Sequence, residues 1–160
     1  MIIRSAAVED AVRISELIKN VARFFTLHPR GEGAEDFLKT IEPESIRSYI
    51  TAKNFIYLVA MINEELAGVI AIRDYNHVYH LFVAPQYQRQ GIAKTLWKKA
   101  KEKAISAGKV ESFTVNSTLY AVPVYQRFGF KPVGPRVEKN GIAFIPMGLE
   151  LNNDRINFSS

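Results

Sequence analysis

Two stretches of this chain hold residues whose types and spacing suit chemistry. The first reads Val83-Ala84-Pro85-Gln86-Tyr87-Gln88-Arg89-Gln90-Gly91-Ile92-Ala93-Lys94. An apolar, strand-like run stops at Pro85, and an amphipathic helix begins after Gly91. A helix start leaves about four backbone N–H groups unpaired and carries roughly half a positive charge. Gly91 has no Cβ to hold a bulky anion away from those groups. Arg89 and Lys94 can add side-chain charge. The chemistry that fits is a pyrophosphate cradle; a plain strand-to-helix turn sharpened by glycine is the alternative. A nucleoside-triphosphate loop is excluded, because the first glycine of G-x-x-x-x-G-K-[ST] and the adjacent Gly-Lys pair are missing. G-x-G-x-x-G does not occur either, which argues against a dinucleotide fold.

The second stretch runs from Asn116 to Phe130. Ala121 and Tyr125 are four apart and share one face of a short helix. Pro123 falls in its first turn, where proline is tolerated, and Gly129 stops it. Tyr125 is either a placed hydroxyl or a core aromatic. A third feature is His77 and His80 flanking Tyr79. Their odd spacing on a strand is expected to point them to opposite faces, so at most one faces a cleft and a two-His metal site is not expected. One positioned base and two structural histidines both stay open.

The elements that must hold these residues alternate along the chain without repeats or a linker. Ile2 to Ala6 reads as a strand, and Val8 opens a helix to about Leu27 with Val12, Leu17, Ile18, Val21 and Phe25 at near-helical spacing. His28 to Gly33 is a loop, and Pro43 starts a short helix ending near Thr51. Phe55 to Ile62 and Leu66 to Asp74 form a hairpin, and His77 to Val83 a further strand. Gly91 to Ala107 is helical, with Gly108 expected as a left-handed cap. Glu111 to Asn116 is a strand and Ala121 to Phe128 a helix. Phe130 to Val137 pairs with Ile142 to Leu151 across Asn140-Gly141, a hairpin turn signal. Residues 152–160 read as a polar tail. Helices on a largely antiparallel sheet give a mixed α+β layer fold, with one domain over 1–151.

Composition narrows the function classes. The 160 residues suit one domain with a substantial core, and there is no Cys, so disulfides, thiolate metal sites and a cysteine nucleophile are excluded. The segment Met1 to Arg4 is too short and wrongly flanked for a secretory signal, and no apolar run approaches the roughly 20 residues of a membrane helix. A cytoplasmic protein without membrane partners is expected. The charge of +5 and pI near 9.5 suit an anionic partner. Lys94, Lys98, Lys99, Lys101 and Lys103 read as the solvated face of one helix. With no dense basic stripe and no helix-turn-helix or RNA-binding signature, nucleic acid is not the expected partner.

Together the two stretches resemble the GNAT superfamily of CoA-dependent N-acetyltransferases. The first matches its V-x-P-x-[YF]-Q-R-x-G-[IL]-[GA] signature at Val83, Pro85, Tyr87, Gln88, Arg89, Gly91, Ile92 and Ala93. The second matches A-x-x-x-Y-x-x-x-G-F at Ala121, Tyr125, Gly129 and Phe130. The order of elements over residues 1–151 agrees as well. The resemblance implies the GNAT fold: a mixed, mostly antiparallel central sheet, helices on both faces, and a V-shaped splay between the fourth and fifth strands. It implies acetyl-CoA as cosubstrate, without a metal. Backbone groups of Leu81, Phe82 and Val83 would pair with the pantetheine arm. Amides across Gln88, Arg89, Gln90, Gly91, Ile92, Ala93 and Lys94 would hold the pyrophosphate. Tyr125 would protonate the departing thiolate, and a backbone N–H near Val83 would polarise the carbonyl. Many relatives carry Asn seven residues before that Tyr, where this chain has Thr118; Asn116 is the alternative polar contact.

The implied reaction is direct attack of an amine on the thioester, which requires a base or water chain. Some relatives, the histone-acetylating branch among them, place Glu six residues before the Val of the motif. Here that position is His77, the candidate base, and the Glu that some bacterial relatives place on the fifth strand is Phe113. The acceptor, a small-molecule or protein amine, is framed by the late hairpin and by the segment joining the first two helices. Phe24, Phe25, His28, Arg30, Glu32, Glu35 and Asp36 lie in or beside that segment. A CoA-binding regulatory module without catalysis is the rival reading, and a homodimer is compatible with the chain.

Overall fold

The longest apolar run of the chain, residues 55–62, is flanked by strands on both sides. In the computed structural model, which describes residues 1–28 and 30–151, one sheet carries the fold. Its order is β1 (Ile2–Ser5), β2 (Phe55–Ile62), β3 (Glu65–Arg73), β4 (His77–Val83), β5 (Ser112–Thr118), β8 (Ile142–Glu150) and β6 (Lys131–Pro132). Strand β7 (Val137–Lys139) also pairs with β8. All pairings are antiparallel except β4 with β5. Strands β2 and β3 are covered on both faces, which is why neither alternates in polarity. Their turn at Asn63 and Glu64 is left-handed at both positions (φ 49° and 66°), matching the twist of a tight hairpin.

Among the described residues five α-helices accompany the sheet: α1 (Ala11–Ala22), α2 (Glu35–Thr40), α3 (Pro43–Thr51), α4 (Ile92–Ala107) and α5 (Val122–Arg127). Helix α4 buries Ile92, Leu96, Trp97, Ala100 and Ala104 against Leu58, Ile70, Ile72 and Phe113 on one sheet face. Helices α1 and α3 bury Ile14, Ile18 and Ile46 against Val59 and Val69 on the other. Lys98, Lys99 and Lys103 are exposed, as a solvated face requires. The entry to α1 is pinned by Asp10, whose buried carboxylate accepts from Arg4 at 2.7 and 3.0 Å, from the Ala7 N–H at 2.8 Å and from Arg13 at 3.2 Å. The Arg4 hydrogen bond, opposed by burial, holds its pKa down at about 2. No helix among the described residues is long and apolar enough to cross a membrane.

The expected class is the observed one: a mixed, mostly antiparallel sheet with helices on both faces and a break between the fourth and fifth strands. Several details differ. Helix α1 ends at Ala22 rather than near Leu27, because Thr26 bridges to Ile142 and the Leu27 N–H donates to the Gly141 carbonyl at 2.8 Å. The late hairpin thus captures the chain. Gly141 is irreplaceable at this seam, since a Cβ there would lie 2.6 Å from the Gly33 carbonyl carbon. Helix α2 was not expected. Gly108 is extended (φ −164°) rather than left-handed. The expected strand from Phe130 to Val137 is split into β6 and β7, since Pro132 and Pro135 lack an N–H for a ladder. The expected tail at 152–160 lies outside the described residues.

The deviation that matters most is in β4. Val78 pairs with Ile72 and His80 with Ala71, so Tyr79 is an extra residue, a β-bulge. Through β3, His77 is in register with Phe55 and His80 with Tyr57, two residues apart on one strand. Both histidines therefore share a face, and the expectation of opposite faces fails because the bulge resets the alternation. The bulge also marks where β4 leaves β5. The two strands pair only at His77 with Thr114 and at Val78 with Val115.

Candidate active site

Beyond that last pair the strands part around a cavity of about 910 Å³. Leu81, Phe82, Val83, Gln88, Arg89, Gly91, Ile92, Ala93, Lys94, Asn116 and Tyr125 all line it. Of the sequence candidates, Gln90 and His77 are not among the lining residues.

One end is made by the turn into α4. Arg89 and Gly91 both have left-handed backbones (φ 64° and 79°), and no side chain caps the helix. The first-turn N–H groups are left for solvent or a ligand. An added Cβ at Gly91 would meet nothing within 4 Å, so its backbone angle, not crowding, calls for glycine. The left-handed Arg89 had no sequence signal; such geometry costs about 1 kcal/mol or more and clusters at functional sites. Gln88 donates to the Val83 carbonyl at 3.1 Å and accepts from the Tyr120 hydroxyl at 2.9 Å. It thus ties the end of β4 to the segment after β5, across the gap. Tyr120 is a site residue that sequence reasoning missed, and nothing in its spacing marks it.

Tyr125 projects from α5 and is 5% exposed, with its ring edge-on to Phe128 and Phe130. Burial pushes its phenol well above the usual range, so it stays protonated at neutral pH. The Thr118 hydroxyl accepts from the Ala121 N–H at 3.2 Å, capping the turn before α5. Asn116 stands on the exposed face of β5, at the cavity.

The histidines are placed differently from expectation. His80 is buried, with Nδ1 2.9 Å from the Tyr57 hydroxyl, and burial lowers its pKa to about 3. It is neutral at physiological pH. His77 sits where β4 and β5 are still paired, before the gap opens, and its Nδ1 is 2.7 Å from the Thr114 hydroxyl. Burial lowers its pKa too. Among the described residues, no group of three or more His, Asp and Glu could hold a metal ion.

At its other end the cavity is lined by Val21, Phe25, Tyr79 and Phe82. Of the acceptor-segment candidates only Phe25 lines it. Phe24, His28, Arg30, Glu32, Glu35 and Asp36 do not, and the Glu35 carboxylate accepts from the nearby Gly33 N–H at 3.2 Å. The charged lining residues are Arg89, Lys94 and Arg127, all basic.

This geometry has counterparts among known proteins. The fold is similar to that of a PaiA N-acetyltransferase from Thermoplasma acidophilum solved in complex with coenzyme A: TM-score 0.74, 19% identity, 93% of this chain and 98% of that one. It is also similar to a GCN5-related N-acetyltransferase from Rhodopseudomonas palustris: TM-score 0.77, 18% identity, 94% and 95% covered. In sequence the chain is 29% identical over 122 residues to human N-acetyltransferase 8, covering 69% of this chain and 54% of that protein. It is 34% identical over 85 residues to the thialysine N-epsilon-acetyltransferase of Caenorhabditis elegans, covering 48% of each. The matches thus span about half the length of these curated relatives. The family profile described as an acetyltransferase (GNAT) domain matches residues 25–151. The chain belongs to the GNAT acetyltransferase family.

Proposed function

We propose that the protein moves an acetyl group from acetyl-CoA to a primary amine while both are bound. One observation carries this reading: a single cavity joins the left-handed cradle of Arg89 and Gly91 to Tyr125 through the gap between β4 and β5. The residues present suit the cofactor. The uncapped start of α4, with Arg89, Lys94 and Arg127 around it, suits a pyrophosphate. The edge of β4 at Leu81, Phe82 and Val83, without β5 beside it, offers backbone groups to the amides of a pantetheine arm. Asn116, exposed on β5 at the cavity, makes the polar contact, while the Thr118 hydroxyl accepts from the Ala121 N–H.

Bound acetyl-CoA would supply an activated thioester open to direct attack by the amine, with CoA leaving as the thiol. The chain's part is positioning and proton supply. Tyr125 holds a proton on its hydroxyl, in a site whose burial keeps the phenol neutral, and would give it to the sulfur as the C–S bond breaks, regaining one from solvent. Among the described lining residues there is neither carboxylate nor imidazole. The amine accordingly gives its proton to water, and His77 acts as a strand residue bonded to Thr114.

The test is free-thiol release from acetyl-CoA across a panel of amines, alongside calorimetry with CoA. Amine-dependent release is expected. Tight CoA binding with no release for any amine would replace this reading with a regulatory CoA-binding module.

A further inference from the structure

We infer that the acceptor is a monoamine bearing an aromatic ring, and that polyamines are turned away. The inference rests on the acetyl-transfer reading and concerns the end of the cavity farthest from the cradle.

That end is a set of rings held by other rings. Phe25 stacks on Phe82 with centroids 5.8 Å apart and planes inclined by 23°, and meets Phe37 edge-on at 5.5 Å. Tyr79 stands edge-on to Tyr49 at 5.2 Å and to Phe55 at 5.5 Å. The Tyr49 hydroxyl lies 3.2 Å from the Tyr79 hydroxyl and donates to the Thr40 carbonyl at 2.9 Å, which fixes the wall further. A flat apolar group entering here meets preset ring surfaces and loses water at little ordering cost.

Charge works the other way. The ionic groups that line the cavity are basic, and an arginine already covers one of the rings at this end: Arg73 lies 5.3 Å from the Tyr79 ring centre. That face of the Tyr79 ring is not free to hold a ligand cation by its charge. A second ammonium on the acceptor would lose its water with no carboxylate to pair with among the described lining residues. The acidic residues of the segment after α1 do not supply one, since Glu32, Glu35 and Asp36 are not part of the lining.

Four acceptors test this at saturating acetyl-CoA: 3-phenylpropylamine, propylamine, spermidine and the aminoglycoside kanamycin. We expect kcat/KM for 3-phenylpropylamine to exceed that for propylamine about tenfold or more, from burial of the ring. Spermidine and kanamycin should fall below propylamine. Phe25→Ala should bring the phenylpropyl and propyl values within about threefold of each other, through KM, with the KM for acetyl-CoA unchanged. Phe25→Leu, which keeps apolar bulk, should retain part of the preference and serves if the alanine variant misfolds. Equal values for the two monoamines, or faster turnover of either polycation, would overturn the inference and leave acetyl transfer standing. No thiol release with any amine, from protein that binds CoA, would overturn both.

Discussion

The two ends of the cavity are built in opposite ways. The cradle comes from one contiguous run, Gln88 to Lys94, and is proposed to work through backbone N–H groups at a helix start. The aromatic end comes from side chains far apart in sequence, Val21 and Phe25 against Tyr79 and Phe82, and its shape depends on the seam between the segment after α1 and the β7–β8 turn. A site made of backbone in a fixed local geometry tolerates little change in residue type. A site made of side-chain walls can be relined without disturbing the sheet. The cradle is therefore the constant half and the aromatic end the adjustable half.

The largest expected effect breaks the constant half. Gly91→Glu puts a Cβ and a negative charge on a left-handed residue at the cradle, and CoA affinity should fall about a hundredfold or more. Calorimetry on the folded variant checks it, and unchanged affinity would move the pyrophosphate elsewhere. Tyr125→Phe comes next. It keeps the ring among Phe128 and Phe130 and removes only the hydroxyl, so kcat should drop about ten- to a hundredfold while the KM for acetyl-CoA changes less than about threefold. Equal turnover would make Tyr125 a core aromatic and nothing more.

A smaller effect reaches the adjustable half through stability. Asp10 anchors α1, which carries Val21. Its folded pKa is depressed, so its contribution is full above the unfolded value near 3.8 and is lost as pH falls through about 2. That contribution is on the order of 2 kcal/mol. Urea melts at pH 6 and pH 3 should show wild type losing more stability than Asp10→Asn, and parallel losses would deny the anchor. The smallest effect is expected at His77. Its lowered pKa leaves it neutral at pH 7, outside the cavity lining, so His77→Gln should change kcat less than about twofold. In two amines of different basicity the alkaline pH limb should follow the amine. A limb that disappears in His77→Gln would restore the histidine as base.

How much of this was legible in the sequence follows from the same contrast. The cradle, Tyr125 and the order of elements are encoded over short distances, in the turn at Pro85, the helix start at Gly91 and the four-residue step from Ala121 to Tyr125. The face of His77 was not, because one unpaired residue at Tyr79 resets strand alternation and nothing local announces it. The early end of α1 was hidden for a related reason: Thr26 is taken by Ile142, over a hundred residues away. Tyr120 acquires its place only when Gln88 comes within 2.9 Å across the gap. Left-handed Arg89 has no residue-type signal of the kind Gly91 carries.

The parting of β4 and β5 also has a thermodynamic side. Past Val78 and Val115 each strand lacks its sheet neighbour on the cavity side. A ligand laid in the gap acts as a missing strand, and it binds only the folded chain. At a hundred times its dissociation constant, such a ligand adds about 2.7 kcal/mol to stability. Amide hydrogens facing the gap should exchange freely without it and slowly with it. If acetyl-CoA occupies the gap as proposed, its concentration would set how tightly the β1–β4 half of the sheet is coupled to the β5–β8 half, and cofactor supply would become a variable of folding.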